Sequence, residues 1–167
     1  NASKENPVPV VLECIPFRKR DIYRQYDDMV QPLLANHGYA VVRVDIRGTG
    51  ESDGLLNDEY TNQEQDDAVE LIQWLSKESW CNGNVGMKGL SWGGISALQV
   101  AARNPPALKA IIAHCFTDDR FRGDEHYMGG ALLVENFSWG SYFLELLSMP
   151  PDKDIYCNDW QKEWLKR

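Results

Sequence analysis

The sequence is poor in positive charge and contains no long apolar run. It has 17 Lys and Arg residues against 25 Asp and Glu residues, and its net charge at pH 7 is −8. Because nucleic-acid binding depends on a basic surface that displaces counterions, this balance argues against a nucleic-acid partner. No apolar stretch approaches the roughly 20 residues of a membrane-spanning helix, so we expect no membrane partner. The opening segment lacks the apolar centre of a signal peptide, which favours a cytoplasmic location, although the first residue is Asn1 rather than Met.

Cysteine is scarce as well, and its spacing excludes two common roles. No C-x-x-C pair occurs among Cys14, Cys81, Cys115 and Cys157. A structural zinc site is therefore not expected. A disulfide framework is typical of smaller secreted proteins and is not predicted for a chain of 167 residues. Cys14 and Cys115 lie in apolar runs, which predicts that both are small residues of the core.

Apolar runs and helical periodicity alternate along the chain. Hydrophobic residues make up 43% of the sequence and charged residues 25%, which is typical of a globular protein. The apolar runs predict strands over Val8–Ile15, Tyr39–Ile46, Asn84–Leu90 and Leu108–Cys115. The stretches between them predict helices over Tyr23–Asn36, from a capping box at Thr61–Glu64, and over Gly93–Asn104. This order predicts an α/β fold, with a parallel sheet flanked by helices and joined by right-handed crossovers.

Two of these elements carry further signals. Leu108–Cys115 is apolar at nearly every position, which is typical of a parallel strand that is covered on both faces. Pro32 lies inside the first predicted helix and predicts a break or a kink there. Tyr26, Met29 and Leu33 follow helical spacing and predict the apolar side of that helix.

The character of the chain changes after Cys115. Residues 116–130 are polar and loop-like, and Phe137–Leu147 is rich in aromatic side chains. No further strand is predicted in this part. We therefore expect residues 1–119 to form the first part of the sheet-containing core and residues 120–167 to begin a helical cap.

The third predicted strand leads into a G-x-S-x-G motif, formed by Gly89, Ser91 and Gly93. In a nucleophile elbow, the serine lies on a sharp strand-to-helix turn, with its hydroxyl at the carboxyl edge of the sheet. Glycine is needed at the flanking positions because the tight turn leaves no room for a Cβ. The motif alone is common, but its flanks are those that an elbow needs, so we predict that Ser91 is a nucleophile. The alternative is a turn serine that caps the following helix.

A second glycine-rich stretch, Arg47–Gly54, follows the second predicted strand. It has neither the Lys-Ser/Thr pair of a phosphate-binding loop nor the spacing G-x-G-x-x-G, so a nucleotide site is not predicted. Asp118, Asp119, Asp124 and His126 contain no pair at helical ligand spacing, so no metal site is predicted either. We expect no cofactor.

Several segments match one known family in combination. They are Pro16–Lys19, Asp45–Ser52, Trp80–Met87, the elbow, Asp118–Arg120 and Asp124–Gly130. Together they resemble the CocE/NonD serine hydrolases, the group of cocaine esterases, α-amino acid ester hydrolases and Xaa-Pro dipeptidyl-peptidases of the S15 type. The resemblance implies an α/β-hydrolase fold with a helical cap and a C-terminal jelly roll, of which this chain is the front part. It also implies cleavage of a small-molecule ester or peptide through an acyl-enzyme on Ser91.

The resemblance further implies the parts of an oxyanion hole. One donor would be the backbone N–H of Trp92, and the family's second donor is often a tyrosine hydroxyl from a Pro-Tyr motif. Phe17 occupies that position and has no hydroxyl. A backbone N–H near Phe17 or Arg18 substitutes for it, or Tyr23 helps, or the enzyme is slow or its hole is arranged differently. The aromatic residues predicted to line the substrate pocket are Trp92, Phe116 and Tyr127, with packing of the cap onto the core as the alternative.

In the family, the triad acid and histidine come from loops after later strands, which implies positions beyond residue 167. His37 is predicted to be a surface or capping residue and His114 a core residue of the fourth strand. A local triad of Ser91, Asp118 and His126 has the chain order of α/β-hydrolases. Its acid and base are very close in sequence, and the resemblance implies a structural role for their loop.

The sequence thus predicts a serine hydrolase acting on esters or peptides, with Ser91 as nucleophile and with acid and base outside this chain. The rival interpretation is a catalytically inactive hydrolase-fold binding or scaffold protein, which the missing hydroxyl at Phe17 favours. A locally completed esterase is the third. The sequence does not determine the substrate or the oligomeric state, but the exposed edge of a half sheet predicts a tendency to associate.

Overall fold

A parallel sheet forms the centre of the computed structural model, which describes residues 2–21, 23–156 and 159–166. Its strands are β1 (Val8–Ile15), β2 (Ala40–Asp45), β3 (Cys81–Leu90) and β4 (Leu108–His114). They form a four-stranded sheet of order β2-β1-β3-β4, in which all neighbours are parallel. The predicted α/β fold is confirmed, and the predicted strands differ only at their ends.

Three helices connect these strands. They are α1 (Arg24–Asn36), α2 (Asn62–Leu75) and α3 (Trp92–Ala102). The predicted cap of α2 is present, because the side chain of Thr61 accepts a hydrogen bond from the backbone N–H of Glu64 at 3.3 Å. Such a cap contributes about 1 kcal/mol, since it satisfies one of the N–H groups that the first turn leaves without an acceptor.

One face of the sheet carries the apolar core. The strand register places Val10 opposite Val85 and Leu12 opposite Met87, so these four side chains share a face. The cluster that they form also contains Cys14, Ala68, Ile72, Ala97 and Val100. α2 and α3 therefore pack on this side of the sheet, and the predicted burial of Cys14 is confirmed.

The opposite face carries a row of buried charges. The register places Glu13 of β1 beside Arg43 of β2, and their side chains are 2.7 Å apart. The same guanidinium lies 2.6 Å from Asp27 of α1, and Lys88 of β3 also pairs with Glu13. Burying a charge is costly unless it is paired. An ion pair between Asp27 and Arg43 therefore joins α1 to this face of the sheet.

The predictions for α1 need two corrections. The helix runs without a break through Pro32, although this residue cannot donate a backbone hydrogen bond to the preceding turn. A kink at Pro32 stays a prediction. The predicted apolar stripe is not covered: the side chains of Met29 and Leu33 are 70% and 57% exposed. The position of α1 that packs most closely on the sheet is the charged residue Asp27, which is the buried residue of this helix.

β4 lies at an edge of the sheet, and the prediction that it is covered on both faces is wrong. Among the described residues, it pairs only with β3, and Ile112 is 65% exposed. His114 and Cys115 are exposed as well, so neither is the core residue that was predicted. The neighbouring residues in the sequence are apolar, as noted above. In the part of the chain that the structure describes, however, no helix or strand covers that side of β4.

The segment after β4 contains a hairpin that the sequence pattern did not predict. β5 (Tyr127–Met128) and β6 (Ala131–Leu132) pair in antiparallel fashion. Gly129 and Gly130 join them with φ values of 56° and 83°. Two successive glycines with positive φ are typical of a tight hairpin turn, and this Gly-Gly pair is the signal from which the hairpin could have been predicted.

Three helices complete the described chain. They are α4 (Glu135–Ser148), α5 (Lys153–Tyr156) and α6 (Trp160–Trp164). The segment that was predicted to begin a cap thus contains helices, and Phe143 and Leu146 of α4 extend the apolar core. The boundary near residue 120 stays a prediction. In the part of the chain covered by the structure, every helix is too short or too polar to cross a membrane.

Candidate active site

Ser91 lies at the turn between β3 and α3, in a conformation that is rare for a residue with a side chain. Its φ is 53° and its ψ is −117°. Its backbone N–H donates to the carbonyl of His114 at 3.0 Å, and its own carbonyl accepts from Ile95 at 3.0 Å. A backbone strain of about 1–3 kcal/mol persists only where surrounding contacts enforce it. Here the end of β4 and the first turn of α3 do so.

The glycines of the motif are required by close backbone contacts. A Cβ on Gly89 would lie 2.0 Å from the carbonyl carbon and oxygen of Gly93. A Cβ on Gly93 would lie 3.2 Å from the carbonyl oxygen of Cys14, and one on Gly94 would lie 3.1 Å from that of His114. The turn therefore packs directly on the ends of β1 and β4, as a sharp strand-to-helix elbow must.

The side chain of Ser91 is not used to cap α3. It occupies the N-cap position but makes no capping hydrogen bond, so the alternative interpretation as a capping serine is wrong. Trp92 is the first residue of α3. Its backbone N–H belongs to the first helical turn, whose N–H groups have no acceptor within the helix. A hydroxyl and a backbone donor are thus adjacent at the carboxyl end of β3.

Ser91 opens into a cleft of about 200 Å³. The residues that line it are Tyr60, Ser91, Ile95, Cys115, Phe116, Thr117, Gly123, Asp124, Glu125 and His126. The elbow, the segment after β4 and the residue before the cap of α2 therefore meet at this point. A larger cavity of about 400 Å³ lies between α2 and the loop after β2, and Ser91 is not part of its lining.

The three predicted pocket residues lie in different environments. Phe116 lines the cleft with Ser91. The indole of Trp92 is buried, with its ring centre 5.2 Å from that of Phe143 and 4.9 Å from that of Tyr60. Tyr127 is half-buried and packs on Phe121, with ring centres 5.9 Å apart. Neither Trp92 nor Tyr127 is part of the lining of the cleft. Trp92 packs between α4 and the loop before α2, and Tyr127 packs within its own segment.

The indole of Trp92 also ties α3 to α2. Its N–H donates to the carboxylate of Glu64 at 3.0 Å, in a buried position. Burial raises the pKa of Glu64, and the hydrogen bond from Trp92 opposes this effect. The carboxylate therefore fixes the orientation of the residue that follows Ser91.

Phe17 is buried in an aromatic cluster that includes residues of α4. Its ring centre lies 5.3 Å from that of Tyr23, 5.9 Å from that of Phe143 and 6.2 Å from that of Trp139. The guanidinium of Arg18 donates to the carbonyl of Pro150 at 2.7 Å. The segment after β1 thus contacts α4 and the residues that follow it, and neither Phe17 nor Arg18 is part of the lining of the Ser91 cleft.

His126 lines the cleft, but both of its ring nitrogens have partners other than Ser91. Nδ1 contacts the side-chain oxygen of Asn136, and Nε2 lies 3.2 Å from Glu59. Asp118 is exposed, and no hydrogen bond joins it to His126 in the described ranges. The structure therefore brings Ser91 and His126 to one cleft without forming the local triad. His37, at the end of α1, contacts the carbonyl of Leu33 at 2.8 Å.

Glu59 contacts three residues of a later segment, which the sequence pattern did not predict. Its carboxylate accepts hydrogen bonds from Arg120 and from the indole of Trp139, in addition to its contact with His126. All three partners belong to the segment that was predicted to be the cap. They lie 61 to 80 positions away in the sequence, so local spacing contains no signal for them.

The glycine-rich loop after β2 is organised by an internal carboxylate. Asp45 accepts from the backbone N–H of Lys19 at 2.8 Å and from its ammonium group at 2.9 Å. A Cβ on Gly50 would lie 2.0 Å from this carboxylate. Burial lowers the pKa of Lys19, but hydrogen bonds to Glu51 and Asp45 outweigh it, so that the pKa is raised. The loop thus joins the ends of β1 and β2.

Comparisons with known proteins agree with this architecture. A sequence profile of the X-Pro dipeptidyl-peptidase family (S15) matches residues 2–167. The chain is 36% identical over 132 residues to a cocaine esterase of Rhodococcus sp., covering 78% of this chain and 23% of that protein. It is 26% identical over 211 residues to a putative Xaa-Pro dipeptidyl-peptidase of Streptomyces avermitilis, covering 99% of this chain and 30% of that protein.

Solved structures support the fold. A CocE/NonD family hydrolase from Staphylococcus aureus superimposes with a TM-score of 0.74 and 24% identity, covering 95% of this chain and 33% of that one. The chain therefore spans about a quarter to a third of the length of these proteins.

Proposed function

Because the chain belongs to the X-Pro dipeptidyl-peptidase family (S15), we propose that it is the nucleophile-bearing part of a serine hydrolase that forms an acyl-enzyme on Ser91. The observation that carries the proposal is the conformation of Ser91. The residue is held at a positive φ between β3 and α3, its hydroxyl is not used for capping, and it lines a cleft. These features are those of a serine on a nucleophile elbow, and they support the proposal.

The proposed reaction is acyl transfer. The Oγ of Ser91 attacks the carbonyl carbon of an ester or amide while a histidine takes its proton, and the backbone N–H of Trp92 donates to the oxyanion. The bond to the alcohol or amine then breaks, and the leaving group receives the proton from the histidine. Water repeats the attack on the acyl-enzyme and releases the acid.

The base and its carboxylate lie outside the described residues in this proposal. His37 and His126 have other partners, and His114 is exposed at the end of the edge strand. A base must reach the serine hydroxyl within hydrogen-bond distance, directly or through one water. None of the three histidines makes a direct hydrogen bond with the side chain of Ser91 in the described ranges.

We propose that the substrate is an ester or a peptide, and the proposal includes both classes. One relative is named an esterase and another a putative Xaa-Pro dipeptidyl-peptidase. The second candidate function is a hydrolase-fold scaffold without catalysis. The observation that favours it is the buried ring of Phe17 at the position of the expected tyrosine hydroxyl.

The two functions are separated by labelling the full-length gene product with a fluorophosphonate probe, which reacts with activated serines. We expect labelling that is lost in Ser91→Ala and retained in Ser141→Ala, whose serine is exposed on α4. Hydrolysis of p-nitrophenyl acetate and of an Xaa-Pro-p-nitroanilide then distinguishes ester from peptide cleavage. Equal labelling of Ser91→Ala and the parent would show that another residue is the nucleophile. A folded parent without labelling or hydrolysis would favour the scaffold.

A further inference from the structure

We propose that the hydroxyl of Tyr60 is the second donor to the oxyanion, in place of the hydroxyl that Phe17 lacks. This inference rests on the proposed function of Ser91. It assigns a catalytic role to a residue that the motifs of the sequence do not include. Tyr60 precedes the cap residue of α2, in the loop that crosses the end of the sheet.

The position of Tyr60 supports the assignment. Tyr60 and Ser91 line the same cleft, whereas Phe17, Arg18 and Tyr23 are not part of that lining. The ring of Tyr60 packs on the indole of Trp92, with ring centres 4.9 Å apart. The loop before α2 thus contacts the side chain of the residue that follows Ser91, and a second donor must approach the oxyanion from such a neighbouring element.

Two alternative donors, Arg18 and Tyr23, lie outside the lining of the Ser91 cleft. The guanidinium of Arg18 donates to the carbonyls of Met149 and Pro150. The ring of Tyr23 stacks on Phe17, and the guanidinium of Arg43 lies 5.4 Å from its centre, under α1. These contacts place both side chains in the packing between the core and its covering helices.

The hydroxyl of Tyr60 is available as a donor. In the described ranges, it makes no hydrogen bond with another protein group. Burial, with a further contribution from the carboxylate of Glu59, raises the pKa of Tyr60 above its ordinary value. The phenol therefore keeps its proton throughout the neutral and moderately alkaline range. A donor to a developing oxyanion must be protonated before the reaction begins.

The backbone of Tyr60 is strained, and its ring is fixed on two sides. Its φ is 56°, which is an outlier for a bulky residue. The guanidinium of Arg120 lies 4.9 Å from the ring centre, and Trp92 contacts the ring as well. Strain of this kind persists where surrounding contacts enforce it, and it is common at active sites. A fixed donor needs no reorganisation during the reaction, which is the condition under which it contributes most.

The test uses Tyr60→Phe in the full-length protein, which removes the hydroxyl and keeps the ring. For a p-nitrophenyl ester, we expect kcat to fall about 10²-fold to 10³-fold with little change in KM. The rate of fluorophosphonate labelling at Ser91 falls with it, and the melting temperature does not. Tyr23→Phe is the matched control and leaves kcat unchanged.

The outcomes separate this inference from the proposed function. A parent protein in which the probe does not label Ser91 refutes the proposed function. A parent that is labelled, with an unchanged kcat in Tyr60→Phe, refutes the role of Tyr60 alone. If Tyr60→Phe does not fold, incorporation of 3-fluorotyrosine at position 60, which keeps the ring and makes its hydroxyl more acidic, decides the question. A changed kcat supports the hydroxyl of Tyr60 as a donor, whereas a kcat equal to that of the parent refutes it.

Discussion

Replacing Glu59 by alanine tests how the segment after β4 is held on the core. The carboxylate of Glu59 binds the guanidinium of Arg120, the indole N–H of Trp139 and the ring of His126. The substitution removes all three contacts and leaves the fold of the sheet untouched. We expect the segment that contains α4 to lose more stability than the sheet does.

The size of the effect follows from the burial of each partner. The side chain of Arg120 is 37% exposed, so its ion pair contributes only about 0–1 kcal/mol. His126 is buried and Trp139 is half-buried. The indole of Trp139 loses the acceptor of its N–H, which costs about 1–3 kcal/mol. The free energy of unfolding should therefore fall by about 1–4 kcal/mol.

The assay is urea unfolding of the full-length protein, together with hydrogen exchange of the amides in α4. Asp66→Ala is the matched control, because the pair of Asp66 with Arg103 is exposed on both sides. Its expected cost is below about 1 kcal/mol. If Glu59→Ala costs no more than Asp66→Ala, or if α4 keeps its protection, then Glu59 does not anchor this segment.

Two further predictions concern the elbow and the core. Gly89→Ala places a Cβ 2.0 Å from backbone atoms of Gly93. We therefore expect this variant to lose labelling at Ser91 and to be destabilised by about 1–3 kcal/mol or more, as measured by urea unfolding. Gly140→Ala is the control, because the space around its Cβ is open. Burial raises the pKa of the Cys14 thiol from 9.0 to about 12. In a variant without the other cysteines, the Cys14 thiol should therefore react with DTNB only after unfolding. Rapid reaction of DTNB with the folded variant would contradict this prediction. Since the unfolded thiol ionises first, the free energy of unfolding should also fall as the pH rises above the unfolded pKa, by up to about 1.4 kcal/mol per pH unit.

The elements of the fold were predictable where the signal is local. The capping box at Thr61 and the apolar run Val8–Ile15 both gave correct starting points. The order of strands and helices then implied a parallel sheet, because two strands joined by a crossover helix within one sheet run in the same direction. The hairpin at Gly129 and Gly130 had a local signal too, but its strands are only two residues long, too short for a periodic pattern.

The wrong predictions concern which sides of a helix or strand are packed against a neighbouring element. Met29 on α1 and Ile112 on β4 lie in apolar patterns, yet both are exposed. An apolar pattern indicates which side of an element can be buried, and it contains no information about whether a neighbour is present there. Asp27 shows the converse, since a charged residue is buried where Arg43 lies opposite it.

By itself, the sequence determined the parallel α/β fold and the position of the elbow around Ser91, because periodicity, capping and the steric demands of glycine act over a few residues. Only the tertiary structure decided what surrounds the elbow. In the folded chain, His126 lies beside Glu59, Phe17 is buried among aromatic rings, and Tyr60 lines the cleft with Ser91. These contacts join residues that are distant in the chain, and they depend on how the loops at the carboxyl ends of the strands pack against one another.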